Sequence, residues 1–308
     1  MTRRNQAIIR SLLTIAVCGA LCATGHAQTS GDPHNWDVGG IRLGISVEQA
    51  QAALHAHDPS MKVQVLQSPS QVGKGTFTSV VVGATGSQGD PIHVAKSDAI
   101  LIAFTETEGN RAYSITRVLT FPQNSPGAGG IPTDVLTHQL VEKYGKPHSS
   151  TCSMGRPCDV GNVPFQSMRL LPFAQSYSLM FWNFGPDGQP VNVNACATAG
   201  GAPIESVTFR DLVSPWGWSF PTASMQFPAE NQCGIGLAVV FMETQIRSDA
   251  PCGQGDCFTY NTIEAQEMLV DAQLQYRDLT NIDKIHKDAE AKRLEDLKAK
   301  AQQEKSPF

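Results

Sequence analysis

The chain lacks the short motifs that usually declare a chemistry. It has no HExxH pair for a catalytic zinc, no glycine-rich phosphate loop and no acidic calcium loop. Ser87 stands between glycines in GATGSQGD, but Thr85 occupies the first glycine position of a G-x-S-x-G elbow, and no strand-to-helix turn follows. That stretch, 83–90, reads as a turn. The CxxC pairs of a structural zinc site are missing, and His148 is the only histidine near the later cysteines, which argues against zinc. His55 and His57 are two apart on a helix and point to different faces, so they do not jointly hold a metal. His93, His138 and His148 stand alone in sequence. No cofactor is expected. A constellation assembled from distant residues is the remaining route to catalysis, and the reading leans away from an enzyme.

Long apolar runs are also missing, with one exception at the start. Ser11 to Ala23 is apolar, too short for a membrane span, and follows Arg3, Arg4 and Arg10. Gly25-His26-Ala27 offers small residues for cleavage. Residues 1–27 therefore read as a Sec-type signal peptide cut near Ala27, which implies a periplasmic or secreted protein. Val17 and Leu21 precede Cys18 and Cys22, which does not fit a lipoprotein cleavage site. No later stretch is long and apolar enough to span a membrane.

Basic charge is in deficit. Lys+Arg is 23 against 28 acidic residues. Without Arg3, Arg4 and Arg10 the basic count is 20 and the net charge −8. Seven basic and six acidic residues follow Leu279, so Gln28 to Leu279 carries −9. A body of that sign does not attract nucleic acid or an anionic membrane through its overall field.

Six cysteines remain after the signal: Cys152, Cys158, Cys196, Cys233, Cys252 and Cys257. An even number in an oxidising compartment reads as disulfides, with 15 possible pairings. The preferred set closes CSMGRPC through Cys152–Cys158 and CGQGDC through Cys252–Cys257. Cys196–Cys233 follows by elimination.

The periodicity predicts an α+β fold with an antiparallel sheet. Asp98 to Phe121 reads as two strands around a turn in which Gly109 and Asn110 tolerate positive φ. On the return strand Tyr113, Ile115, Leu119 and Phe121 share one face, opposite Ala112, Ser114, Thr116 and Thr120. Arg117 interrupts the apolar row. The favoured placement is the sheet margin, with its head in water. The alternative is a buried arginine paired with a carboxylate, lining a site.

Ser46 and Gln49 form a capping box ahead of a helix with Val47, Ala50 and Leu54 on one face, ended by Asp58-Pro59. Thr133 caps a second helix, with Leu136, Leu140, Val141 and Tyr144 on one face and Gly145-Lys146-Pro147 as its stop. Strands are predicted at 63–66, 76–82, 177–184, 205–213 and 235–246. The order helix-then-strands occurs twice, which allows a duplication. The expected organisation is a signal at 1–27, a first α+β unit at 28–150, a disulfide-stapled unit at 151–260, and a C-terminal helix with a charged tail at 261–308. That helix is expected to start at Asn261, capped with Glu264, and to dock through Ala265, Leu269, Ala272, Tyr276 and Leu279. From Thr280 the stripe becomes ragged. This suits a solvated tail, or a short coiled-coil or partner-binding helix.

Gly40 to Ala50 (GIRLGISVEQA) resembles the opening of many exported proteobacterial proteins, and Leu140 to Pro147 (LVEKYGKP) is similar to an element that follows in them. Similar helix entries and exits occur in BamE/SmpA-type envelope domains and in the β-lactamase-inhibitor-like fold. The resemblance covers about Trp36 to Pro147 and rests on a helix start and a helix stop. It implies helices packed on an antiparallel sheet and a binding or scaffold role. This chain is longer than that type and adds six cysteines.

The leading functional expectation is a non-enzymatic envelope protein that binds a protein partner or supports an assembly. The alternatives are a secreted hydrolase with a non-local site and an enzyme inhibitor or immunity protein. Arg117 and the aromatic loop carrying Trp216 and Trp218 are the candidate binding residues.

Overall fold

The computed structural model describes residues 32–85, 97–122, 133–152, 156–157, 168–170, 173–191, 209–213, 219–223, 233–247 and 258–304. The expected signal peptide, the loop bearing Trp216 and Trp218, and Cys158, Cys196, Cys252 and Cys257 lie outside them, as does the side chain of Cys152. Cys233 is buried and disulfide-bonded.

The chain opens with a short ribbon, β1 (Asp37–Val38) and β2 (Ile41–Arg42), turned by Gly39 and Gly40 at positive φ. Helix α1 (Val47–His57) follows, and its capping box is present: Gln49 N–H donates to Ser46 Oγ, and Ser46 N–H donates to Gln49 Oε1. Four strands then run in a meander: β3 (Lys62–Pro69), β4 (Thr76–Thr85), β5 (Ser97–Phe104) and β6 (Ala112–Pro122). Helix α2 (Thr133–Tyr144) starts the second run. After it come β7 (Ser149–Cys152), β8 (Arg156–Pro157), β9 (Met168–Leu170), β10 (Phe173–Asn183), β11 (Phe209–Val213), β12 (Ser219–Ala223), β13 (Ile235–Arg247) and β14 (Phe258–Asp271). Helix α3 (Ala272–Glu304) closes the described chain.

The fold is α+β, built on an antiparallel sheet of ten described strands. Its order is β3-β4-β5-β6-β14-β13-β10-β7-β8, with β9 also on β10. This order has an internal symmetry. Each run begins with a helix and lays four strands in succession toward the centre: β3, β4, β5, β6 from one edge in the first, and β7, β10, β13, β14 in the second, with β8 outside β7. The last strand of each, β6 and β14, pair antiparallel from Thr262↔Pro122 to Val270↔Ser114. The two expected units thus share one sheet, and the 150/151 boundary falls inside β7.

The two helices and the β1–β2 ribbon cover one face. Ala50 and Leu54 of α1, Leu136, Leu140 and Tyr144 of α2, and Trp36, Val38 and Ile41 join Val81, Ile100, Ile102, Ile115, Trp182, Leu237 and Leu269 in a single core. Full burial of a side chain such as Leu54 stabilises by about 1.5–3 kcal/mol. Gly83 lets α1 come close, since a methyl there would lie 2.8 Å from Leu54 Cδ2. The opposite sheet face carries Val82, Ala84, Ala99, Leu101 and Val118.

Two expectations need correction. Asn261 does not start a helix, because 258–271 is strand β14 and the helix begins at Ala272. Ala265 and Leu269 are four apart, a spacing that serves either a helix face or a strand face. Pairing with β6 on one side and β13 on the other decides for the strand. The helix is instead entered through Asp271, whose carboxylate accepts Leu274 N–H at 2.8 Å. Tyr113 also leaves its expected face. A bulge between Ala103 and Phe104 lets Phe104 pair with Ala112 while Ala103 pairs with Ser114. Ala112 thereby joins the helix-covered core, and Tyr113 turns toward the other face.

Gly234 marks a close backbone crossing. Its N–H donates to Phe184 O, its carbonyl accepts Ala272 N–H, and a methyl added there would strike the Gly185 carbonyl. Replacing Gly234 with alanine is expected to cost about 1–3 kcal/mol by forcing the 185–188 turn away from the start of α3. Urea denaturation of the full chain measures this, and an unchanged midpoint contradicts it.

Candidate functional site

The sheet faces give Arg117 a position at the joint between the two runs. It lies on β6, opposite Glu267 of β14 and Ile100 of β5. Asp98 is two residues before Ile100 and so on the same face, at a diagonal a long side chain can reach. Arg117 Nε donates to Asp98 Oδ1 at 3.0 Å and Nη2 to Oδ2 at 2.6 Å, a two-pronged ion pair. The side chains of Arg117 and Asp98 are only 18% and 13% exposed. The favoured placement of Arg117 with its head in water is therefore corrected. Its diagonal neighbour is acidic and α1 closes over both, so the buried paired arrangement holds. Burial alone would lower the guanidinium's pKa, but the Asp98 hydrogen bond and the charges of Asp98 and Glu267 outweigh it and hold it raised.

His57, the last residue of α1, completes the group. Its Nε2 lies 2.9 Å from Asp98 Oδ2 and 3.4 Å from Arg117 Nη2. A carboxylate can only accept and a guanidinium can only donate, so the shorter contact puts the hydrogen on Nε2. The 3.4 Å approach is then a contact between two donors. The other side of the ring lies near Gly39. His57 thus ties the end of α1 to the sheet.

The polar line continues toward α2. Tyr144 is buried and its hydroxyl donates to Asp37 O at 2.6 Å. Burial first, then the charges of Glu267 and Asp37, push that hydroxyl far up, so it stays protonated. Lys143 donates to Asp37 O and Oδ1, each at 2.9 Å. Glu267 lies between the two ends of this line. Burial pushes its carboxyl up, opposed by Arg117 and Lys143 and reinforced by Asp98 and Asp37. The last residues of both helices are therefore fixed, one through Asp98 and the other through Asp37. Trp36, Tyr144, Trp182 and Phe184 pack beside Asp37 with ring centroids 5.1–5.9 Å apart. Among the described residues no group of His, Cys, Asp and Glu could hold a metal ion.

A second feature is helix α3. It runs along the strand ends, anchored at two turns. Asp278 accepts Glu106 N–H at 3.0 Å and Thr107 Oγ1–H at 2.7 Å, and it also accepts Thr107 N–H. Asn281 Nδ2 donates to Glu108 Oε1 at 2.6 Å, Ile282 is buried, and His286 Nε2 donates to Gln71 O at 2.6 Å. From Asp283 to Gln303 every residue is exposed. At 1.5 Å per residue the part beyond His286 reaches roughly 25 Å past the last anchor. Leu294 and Leu297 on it are 46% and 52% exposed. Asp283–Lys287 and Glu290–Arg293 pairs lie along its surface.

The chain is thus an antiparallel α+β protein with a helical arm. No protein family, no curated protein and no solved structure matches it. Among the described residues no helix is long and apolar enough to cross a membrane. Of the expected site residues, Arg117 sits in the buried line, while Trp216 and Trp218 lie outside the described residues. The sequence reading passed over His57, Asp98 and Glu267. The available signal was an acidic residue in phase with Arg117 on the adjoining strand.

Removing Asp98 strands a buried cation. Asp98→Ala is expected to destabilise by about 3–5 kcal/mol, and Asp98→Ala with Arg117→Met by distinctly less. Denaturant titration of both variants tests this, and equal losses would contradict the pairing. Glu267 generates a pH dependence. Its folded pKa lies above the ordinary 4.5, so its favourable contribution is complete below that pH and is lost as pH rises through the folded value. Glu267→Gln should gain stability relative to the parent as pH is raised from 4.5 upward. A pH series of melting temperatures checks the sign.

Proposed function

We propose that this chain is an exported envelope protein that binds a protein partner through the far half of α3, with the sheet body as its support. The observation that carries the reading is the arm itself. It is anchored at Asp278, Asn281, Ile282 and His286, then continues as helix to Glu304 with Ile285, Leu294 and Leu297 exposed. Most of a helix's stability in proteins comes from packing an amphipathic face, and this part of α3 packs on nothing among the described residues. Alternating charges keep it soluble, and its few leucines offer a short seam of the kind that docks in a groove or pairs with another helix. The ion pairs under α1 and α2 support a rigid mount, because they fix the end of each helix. Export is supported by the apolar run after Arg3, Arg4 and Arg10 and by the even cysteine count.

The test uses the full chain and a chain ending after Lys287, which retains every anchor. Both are cross-linked in the envelope fraction, and the captured proteins are identified by mass spectrometry. A specific partner held by the full chain and lost with the shortened one is the expected result. The same partners with both chains would take the arm out of the interaction. Turnover of ester, peptide or glycan substrates by the purified protein would favour the hydrolase instead.

A further inference from the structure

Between α3 and the second face of the sheet lies a cleft of about 520 Å³, within the range of small-molecule sites. Its lining is mixed: Leu66, Phe77, Val80 and Tyr113 from the sheet and Leu279 and Ile282 from the helix supply the apolar part, beside serines and glutamines. Its polar lining includes two carboxylates, Glu106 and Asp278. Among the described residues neither has an ion-pair partner. Glu106 is held rigidly. Its Oε1 accepts from Ser70 Oγ at 2.6 Å, Gln71 N–H at 2.8 Å and Val72 N–H at 3.1 Å. Its Oε2 is buried and has no hydrogen-bond partner among the described residues. A buried carboxylate oxygen without a donor is costly, and a positive charge in the neighbouring cleft offsets that cost through space. Asp278 takes its donors from the turn at 106–107 and adds negative charge beside the first carboxylate. Its field also helps, after burial, to push the Tyr113 hydroxyl up.

We propose that this cleft binds a small cationic amphiphile, its ammonium or guanidinium head at the polar end beside Glu106 and Asp278 and its alkyl or aromatic tail between Phe77, Val80, Leu279 and Ile282. The chemistry of the walls sets the class. An anion would face two carboxylates, and a fully polar cation would leave the apolar part unused. The bulge that turns Tyr113 to this face and the anchoring of α3 at Asp278 both shape the cleft, so it belongs to the folded body rather than to the exposed arm.

The probe is decylamine, compared with decanol and decanoate, each below its micellar concentration. Binding to the full chain is measured by calorimetry, and stoichiometry by native mass spectrometry. The expected result is one decylamine per chain, weaker decanol and no decanoate. Glu106→Gln keeps the Oε1 acceptor and removes the charge, and is expected to weaken decylamine at least about tenfold. Ala103→Phe, which fills the cleft from a lining strand, is expected to abolish binding of both decylamine and decanol, with its fold confirmed by melting temperature. Equal binding of amine, alcohol and acid, or decylamine binding unchanged in Glu106→Gln, overturns the proposal. Binding of many amines per chain does the same. If Ala103→Phe does not fold, the Glu106→Gln comparison still decides.

Discussion

The pairing of β6 with β14 is the contact on which the rest of the structure depends. Among the described residues it is the one strand pairing that joins the two helix-then-strands runs into a single sheet. The seam is not held by backbone hydrogen bonds alone. Arg117 and Glu267 face each other across it, and the first is already tied to Asp98. Polar groups in this setting add little net stability when complete and cost much when one partner is lost. Their value here is positional, since the ion pair on β5 and β6 and the tyrosine and lysine on Asp37 each fix the end of a covering helix. Hydrophobic burial by α1 and α2 supplies the driving force, and the polar line sets where each helix stops.

Much of the fold was legible because its signals are local. The capping box at Ser46 and Gln49, the stop at Gly145 and the turn at Gly109 and Asn110 each depend on a few adjacent residues, and each stands where its chemistry predicts. The misreadings are where non-local partners decide. Ala265 and Leu269 satisfy two periods at once, and only the flanking strands resolve them as sheet. Tyr113 changed face through a single unpaired residue, which alternation along one strand does not reveal. Arg117 stood out as a break in the apolar row, but its environment depended on a diagonal neighbour and on α1 lying over it. That placement follows from Gly83 and Leu54, residues with no evident connection in sequence.

The arm shows the same division. Its charge pattern was plain from Asp283 onward, and its exposure agrees with that pattern. Where the body ends and the arm begins was not plain, because Ile282 and Ile285 look alike in sequence. One is buried and the other exposed, and Asp278, Asn281 and His286 set the difference by reaching turns more than 170 residues away.

The central position of β14 has a consequence for how the chain is made. A ribosome delivers the first run early, with β6 as its inner edge. The strand that covers that edge, Phe258–Asp271, arrives only after every other described strand has been synthesised. Until then β6 presents unpaired amides and carbonyls along its length, beside a largely apolar face. Such an edge is a template for pairing with a neighbouring copy. Synthesis order and sheet order are therefore opposed at the centre of this molecule, and fragments that stop before β14 carry the hazard permanently.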